Sequence, residues 1–175
     1  MNTFFRSDTR KQRYARKKRQ AQTLNVSLTT INFLCDNNLA FLIRAAACMC
    51  ASHVNVIGGI PDRKHLYNAS GSLVDMIEIR QFKSVNEFLN QLDEKIVAAE
   101  LCDNATSIYD YKFDFSVKTT IVVGNEQTGV PSELILYGDP IFIPMNGIGY
   151  CLNTSQTANI MLYEYNRQFG DVAQR

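Results

Sequence analysis

The sequence predicts an α/β fold, a mostly parallel sheet flanked by helices, and three observations carry that expectation. Segments with strand patterning alternate with segments of helical periodicity, the arrangement that builds parallel sheets through crossover helices. The 175 residues, 46% hydrophobic and 20% charged, have the composition of one ordinary domain, large enough to bury a core without disulfide or metal staples. The longest apolar stretch, residues 41–51, is broken by Arg44 and falls short of the roughly 20 residues that cross a membrane, so no membrane partner is expected.

Taken in order, residues 29–35 (TTINFLC) have the β-branched and apolar content of a strand, closed by the turn-forming Asp36-Asn37-Asn38. Leu39, Leu42, Ile43, Ala46 and Ala47 then form the apolar face of a helix over residues 39–51, and residues 54–57 return as a strand ended by Gly58-Gly59. Residues 76–79 read as the next strand. Ser84 and Glu87 stand at capping-box spacing before a helix that runs to Leu92, and residues 96–99 form a buried strand. Residues 102–118, polar with interspersed aromatics, suggest a loop with a short helical turn, and residues 119–123 a further strand. Pro131 suits the first turn of a helix over 131–137. A last strand over 141–143, a glycine-containing loop over 145–152 and a closing helix over 153–167 complete the pattern.

Charge is divided unevenly. The formal total is +1, yet the first 19 residues carry Arg6, Arg10, Lys11, Arg13, Arg16, Lys17, Lys18 and Arg19 against the single acid Asp8, which makes that segment +7. Ten basic and 16 acidic residues remain, leaving a body of −6. A basic arm, residues 1–23, on an acidic body suits a polyanion, because neutralising phosphates releases condensed counterions. RNA is the expected partner, with Arg10, Lys11, Arg13, Arg16, Lys17, Lys18 and Arg19 as its contacts. A solubilising tail, a localisation signal or an organellar transit peptide share this composition. The folded domain is expected over residues 24–170, with a short tail over 171–175.

Five cysteines, at 35, 48, 50, 102 and 151, are odd in number and follow no recognisable secretory signal, which predicts a reduced, intracellular and cytoplasmic protein with small buried thiols. Cys48 and Cys50 are too close for the usual zinc spacing and His53 and His65 form no matching pair, so no metal is expected.

Ligands of open α/β sheets sit at the carboxyl ends of strands. No GxGxxG follows the first strand and no GxxxxGK[ST] is present, while no Ser elbow or Cys–His pair supports a hydrolase. Three strand-end loops remain: DNNLAFLIR, VVGNEQTGVPSEL and IPMNGIGYCLNTSQ. In order and spacing they resemble the three motifs of the SpoU-type (TrmH-like) RNA ribose 2′-O-methyltransferases of the SPOUT superfamily. Asn38 with Arg44 six residues on fits the first. Gly124, Asn125, Glu126 and Gly129 before Pro131 fit the second, and Ile143, Pro144, Met145, Leu152 and Asn153 fit the third. The segment from Asn68 to Ser72 also resembles the family. Ala40, Cys50 and Cys151 stand where the family carries Gly, Gly and Ser.

The resemblance implies a deep C-terminal trefoil knot, a homodimer, and S-adenosylmethionine held by backbone groups at Ala99, Glu100, Gly124, Asn125, Gly129, Ile143, Pro144, Met145, Cys151 and Leu152. Glycines at 124, 129, 147 and 149 suit close approach of backbone to a ligand, with turn formation as the plainer reading. Methyl transfer to a ribose 2′-hydroxyl of tRNA or rRNA needs alignment and electrostatic help rather than a covalent nucleophile. The resemblance assigns Arg44 to the phosphate and 2′-oxygen, and Asn38, Glu126 and Asn153 to orienting it. The plainer readings make Arg44 an ion-pair partner of Asp36 or Glu126, and Asn38 and Asn153 helix caps. A non-catalytic RNA-binding homologue, motivated by the three departures, and a base-modifying SPOUT enzyme are the alternatives.

Overall fold

The computed structural model describes residues 9–173; residues 1–8 of the basic arm and 174–175 of the C-terminal tail lie outside the described residues. The arm contains a helix that the sequence reading did not assign, α1 (Arg10–Gln20), because a segment polar on every side offers no hydrophobic period to read. Its start is a capping box: Thr9 Oγ1 accepts from the Gln12 N–H and the Gln12 carboxamide oxygen accepts from the Thr9 N–H at 2.8 Å.

Among the described residues, seven strands form a single sheet in the order β3-β2-β1-β6-β4-β7-β5, and every pairing among them is parallel. The strands are β1 (Val26–Ile31), β2 (His53–Ile57), β3 (Glu78–Phe82), β4 (Lys95–Ala99), β5 (Thr106–Ser107), β6 (Thr119–Val123) and β7 (Asp139–Phe142). All residues of β1, β2 and β6 are buried, as expected where helices cover both faces of a parallel sheet. The α/β architecture read from the alternation of elements is therefore the one observed.

Alternate residues of the central strands feed two cores. Val26, Leu28, Val97, Ile121 and Val123 face α2 (Asp36–Cys48) and α6 (Thr154–Ala173), while Ile96, Ala98 and Val122 face α4 (Val85–Gln91) and α5 (Ser132–Leu136) with Phe88 and Leu134. Helix α2 buries Leu39, Leu42, Ile43 and Ala46, the face its periodicity marked.

Several boundaries differ from the sequence reading. The first strand begins at Val26 rather than residue 29, because its polar Ser27 is buried with a partner, its hydroxyl donating to Glu94 Oε2 at 2.8 Å. Further along, Thr29 Oγ1 meets Thr120 Oγ1 at 2.7 Å and accepts from the Asn55 amide at 3.1 Å. It ends before Phe33, where Asn32 turns the chain at φ 39°. The strand read over 76–79 lies at β3, and an unassigned helix, α3 (Arg63–Ser70), capped by Asp62 and stopped by Gly71 at φ 68°, packs on α2. Residues 102–118 supply β5, the edge strand that pairs with β7, rather than loop and helical turn alone.

Candidate functional site

Because the strands run in parallel, the carboxyl ends of β1, β6, β4 and β7 lie side by side at one edge of the sheet, bringing together loops that are far apart in sequence. The junction is a directed chain of side-chain hydrogen bonds. The Asn153 amide donates to Asn38 Oδ1 at 2.9 Å, and the Asn38 amide donates to Glu126 Oε1 at 2.5 Å. Glu126 also accepts the backbone N–H of Leu34 at 2.9 Å and of Cys35 at 3.2 Å, groups just ahead of α2 that would otherwise lack a partner. Burial pushes the Glu126 carboxyl up, but its donors from Leu34, Asn38 and Cys35 outweigh that and hold it below its ordinary value.

Each asparagine does more than the plainer reading allowed. Asn153 does cap α6, its Oδ1 accepting the Ser155 N–H at 2.9 Å and the Ser155 hydroxyl at 2.6 Å, yet its amide still reaches Asn38. Asn38 is the third residue of α2, 4% exposed, and caps nothing. Asn125 closes its own loop: its Oδ1 takes the Gln127 N–H at 2.9 Å, its amide donates to the Asn32 carbonyl, and two backbone bonds of 3.0 Å pair it with Gly129. Glu100 binds the Val130 N–H at 2.8 Å and the Leu101 N–H at 3.0 Å, joining the loops after β4 and β6.

The glycines of this loop approach the chain itself. A Cβ on Gly124 would stand 2.1 Å from the Gly129 carbonyl carbon, and one on Gly129, at φ 68°, would stand 2.5 Å from Glu100 Oε2. A Cβ added at Gly147 or Gly149 would meet nothing within 4 Å.

Two cavities flank Asn153. One, of about 450 Å³, is lined by Ala99, Glu100, Gly124, Asn125, Gly129, Ile143, Met145, Cys151 and Leu152, together with Glu126 and Asn153. That includes every position the family resemblance assigned to S-adenosylmethionine except Pro144, which does not line it. Among the described residues its only charged lining side chains are the two glutamates. The other, of about 510 Å³, is lined by Asn38, Arg44 and Asn153 with Phe41, Cys48 and Gln156 among others, and Arg44 is its only charged residue among those described. Arg44 is exposed and pairs with neither Asp36 nor Glu126; the acid that could have neutralised it is committed to Asn38 and the backbone. Arg13, Arg16, Lys17, Lys18 and Arg19 of α1 line neither cavity.

Sequence reasoning missed Tyr150, Leu101, Val123, Ile141, Phe142 and Thr157 in the first cavity and Gln156 and Asn159 in the second. The helical pair could have been found from the 3.6-residue period once Asn153 was set as a cap; the others depend on which strands are neighbours. The thiols are not the buried groups expected: Cys35, Cys48 and Cys151 are exposed, and Cys50 and Cys102 are partly so, because they occupy helix ends and loops. All five are free. Among the described residues no group of three metal-ligating side chains is gathered, and no helix is long and apolar enough to cross a membrane.

Known proteins resemble this chain in sequence and in fold. The model of the SpoU rRNA methylase family matches residues 23–163. A tRNA (guanosine(18)-2′-O)-methyltransferase of Escherichia coli K12 is 26% identical over 136 residues, covering 75% of this chain and 58% of that protein. One of Thermus thermophilus is 28% identical over 166 residues, covering 88% of this chain and 83% of the relative. The chain thus spans a little over half the length of the E. coli relative. Among solved structures, an AdoMet-bound rRNA methyltransferase from Sinorhizobium meliloti superposes with a TM-score of 0.75 at 24% identity, over 83% of this chain and 57% of the other, which shows the shared fold.

Proposed function

The chain belongs to the SpoU rRNA methylase family, and from that premise we propose that it transfers a methyl group from S-adenosylmethionine to a ribose 2′-hydroxyl of tRNA or rRNA. One observation supports this most directly: an acid-walled cavity and an arginine-walled cavity meet at Asn153. A cavity whose only formal charges are Glu100 and Glu126 favours a cationic sulfonium, and its neighbour, charged only by Arg44, favours a phosphate or a developing alkoxide. The size of the first cavity suits a cofactor, and apolar walls at Val123, Ile141, Ile143 and Leu152 suit an adenosine ring.

When bound, S-adenosylmethionine supplies an electrophilic methyl, which the ribose oxygen takes up as its proton passes to water and the sulfonium becomes a neutral thioether. The residues of the chain align and polarise. Arg44, unpaired and exposed, binds an RNA phosphate and stabilises charge on the 2′-oxygen. Asn38 and Asn153 fix α2 against α6, and Glu126 fixes α2 against the loop after β6, so the guanidinium is carried on a rigid frame beside the donor cavity. Ala99, Glu100, Gly124, Asn125, Gly129, Ile143, Pro144, Met145, Cys151 and Leu152 belong to the cofactor-binding segments in this reading.

The reading extends to the rest of the chain. The basic residues of the arm, Arg10 to Arg19, capture RNA; the domain proper runs from 24 to 170; and its C-terminal segment is threaded as a trefoil knot. The protein acts as a homodimer, a reading supported by Phe41, Ile160 and Tyr163, which stay exposed on the packed α2–α6 pair. Five free thiols suit a reducing compartment such as the cytoplasm.

Nucleoside mass spectrometry of tRNA and rRNA with and without the gene tests the assignment, and a 2′-O-methylnucleoside absent only from the deletion strain is the expected result. Calorimetric binding of S-adenosylmethionine separates the enzyme from a purely RNA-binding homologue. Salt-sensitive RNA binding with no cofactor heat and no missing nucleoside supports the homologue.

A further inference from the structure

We propose that Tyr150 is the platform on which the base of the acceptor nucleotide stacks, an inference that rests on the methyltransferase reading and adds a substrate-contacting residue to it. Tyr150 lines the acid-walled cavity, yet 94% of its surface is exposed. It makes no hydrogen bond or ring contact among the described residues, so the fold has no use for the ring where it stands. Its loop holds it out: residues 145–151 are all exposed, and a Cβ added at Gly147 or Gly149 would meet nothing within 4 Å.

The position matches what the reaction requires. Tyr150 precedes by three residues Asn153, the residue common to both cavities. A 2′-oxygen presented at that junction brings its base with it, because the base is bonded to the neighbouring ribose carbon. The base must therefore lie against whatever surrounds the mouth of the donor cavity. Of the aromatic residues lining the two cavities, Phe142 is partly buried and Phe41 is 45% exposed, which leaves Tyr150 as the one ring presenting nearly its whole surface. Ile148, fully exposed two residues earlier, extends the apolar surface. Stacking on an aromatic ring is tolerant of base identity, since every base has a π-face, so Tyr150 supplies affinity and placement rather than sequence choice.

The test uses the full chain, total RNA from a strain lacking the gene, and S-adenosylmethionine labelled in its methyl group. Removing the stacking ring in Tyr150→Ala raises KM for RNA roughly five- to 150-fold. Tyr150→Phe, which keeps the ring, stays within about twofold of wild type, and the dissociation constant for S-adenosylmethionine by calorimetry changes little in either variant. An unchanged KM in an active Tyr150→Ala overturns the stacking role alone. Cofactor affinity lost in parallel with KM overturns it by making the ring a wall of the donor cavity, and a changed sedimentation coefficient overturns it by making the ring a contact between copies. A wild-type protein that binds the cofactor and methylates nothing in this RNA overturns the methyltransferase reading, and the stacking with it.

Discussion

Replacing Glu126 by Ala removes the acceptor for three donors, and their surroundings set the cost. The N–H groups of Leu34 and Cys35 lie at exposed residues and turn to water, which exchanges charge-assisted hydrogen bonds for ordinary ones. The Asn38 amide has no such exit, because Asn38 is 4% exposed. A hydrogen bond to a charged group contributes about 1.5–3 kcal/mol and a stranded buried amide costs about 1–3 kcal/mol. Allowing for overlap between the two, Glu126→Ala should lose about 3 kcal/mol, or about 6–12 °C in Tm for a chain of this size. Glu126→Gln retains one oxygen and should lose about half as much. Urea unfolding followed by far-ultraviolet circular dichroism, at one protein concentration, measures the change at constant slope. The pH dependence carries its own sign. The folded Glu126 carboxyl titrates below its ordinary value of 4.5, so its contribution is fully present above pH 4.5 and is lost as the pH falls through the folded value. The gap between wild type and Glu126→Ala should therefore be constant above pH 4.5 and close on acidification. A Glu126→Ala protein within about 0.5 kcal/mol of wild type at neutral pH refutes the reasoning, because the three loops would then be held together by something other than this carboxylate.

Further outcomes follow from the same geometry. Arg44→Ala removes an exposed, unpaired side chain, so stability should stay within about 0.5 kcal/mol while methyl transfer falls about 100- to 1,000-fold with cofactor binding retained; a matching loss of stability makes the residue structural. Gly129→Ala forces a non-glycine residue to φ 68° with its Cβ on Glu100 Oε2, and should cost about 1–3 kcal/mol and weaken S-adenosylmethionine binding in calorimetry. An unchanged urea midpoint contradicts that. Neutralising the seven basic residues from Arg10 to Arg19 should flatten the salt dependence of RNA binding, by about 0.7 in logarithmic slope for each single-strand phosphate the arm no longer neutralises, without altering cofactor binding. An unchanged slope removes the arm from the RNA interface.

How much was legible in the sequence depended on the kind of information each feature carries. Helix α2 was readable because Leu39, Leu42, Ile43 and Ala46 repeat at helical spacing. Helix α3 was not, because Arg63–Ser70 is mixed in polarity and its place is decided by packing on α2, and β3 was read with its bounds too early because Glu78–Phe82 is mixed in polarity and its extent is set by pairing with β2. The start of β1 was missed for a related reason: Ser27 is buried and paired with Glu94, a side chain 67 residues away. The exposed cysteines were misread because apolar neighbours in sequence do not imply burial at a helix end.

The site divided in the same way. Residue types and spacing within each loop picked out Asn38, Arg44, Gly124 to Gly129 and Ile143 to Asn153 through a family resemblance. What those residues do to one another is a fact about the edge of a sheet whose order, β1-β6-β4-β7, no local pattern encodes. By itself the sequence determined the alternation of elements, the opposition of basic arm and acidic body, and the residues at three strand ends, because periodicity, charge and turn chemistry are local. Only the tertiary structure decided that Glu126 is committed to Asn38 and the start of α2, that Arg44 is left unpaired among the described residues, and that two cavities of opposite charge meet at Asn153. Hydrogen bonds and electrostatic fields depend on distances through space, and the order of the strands sets those distances.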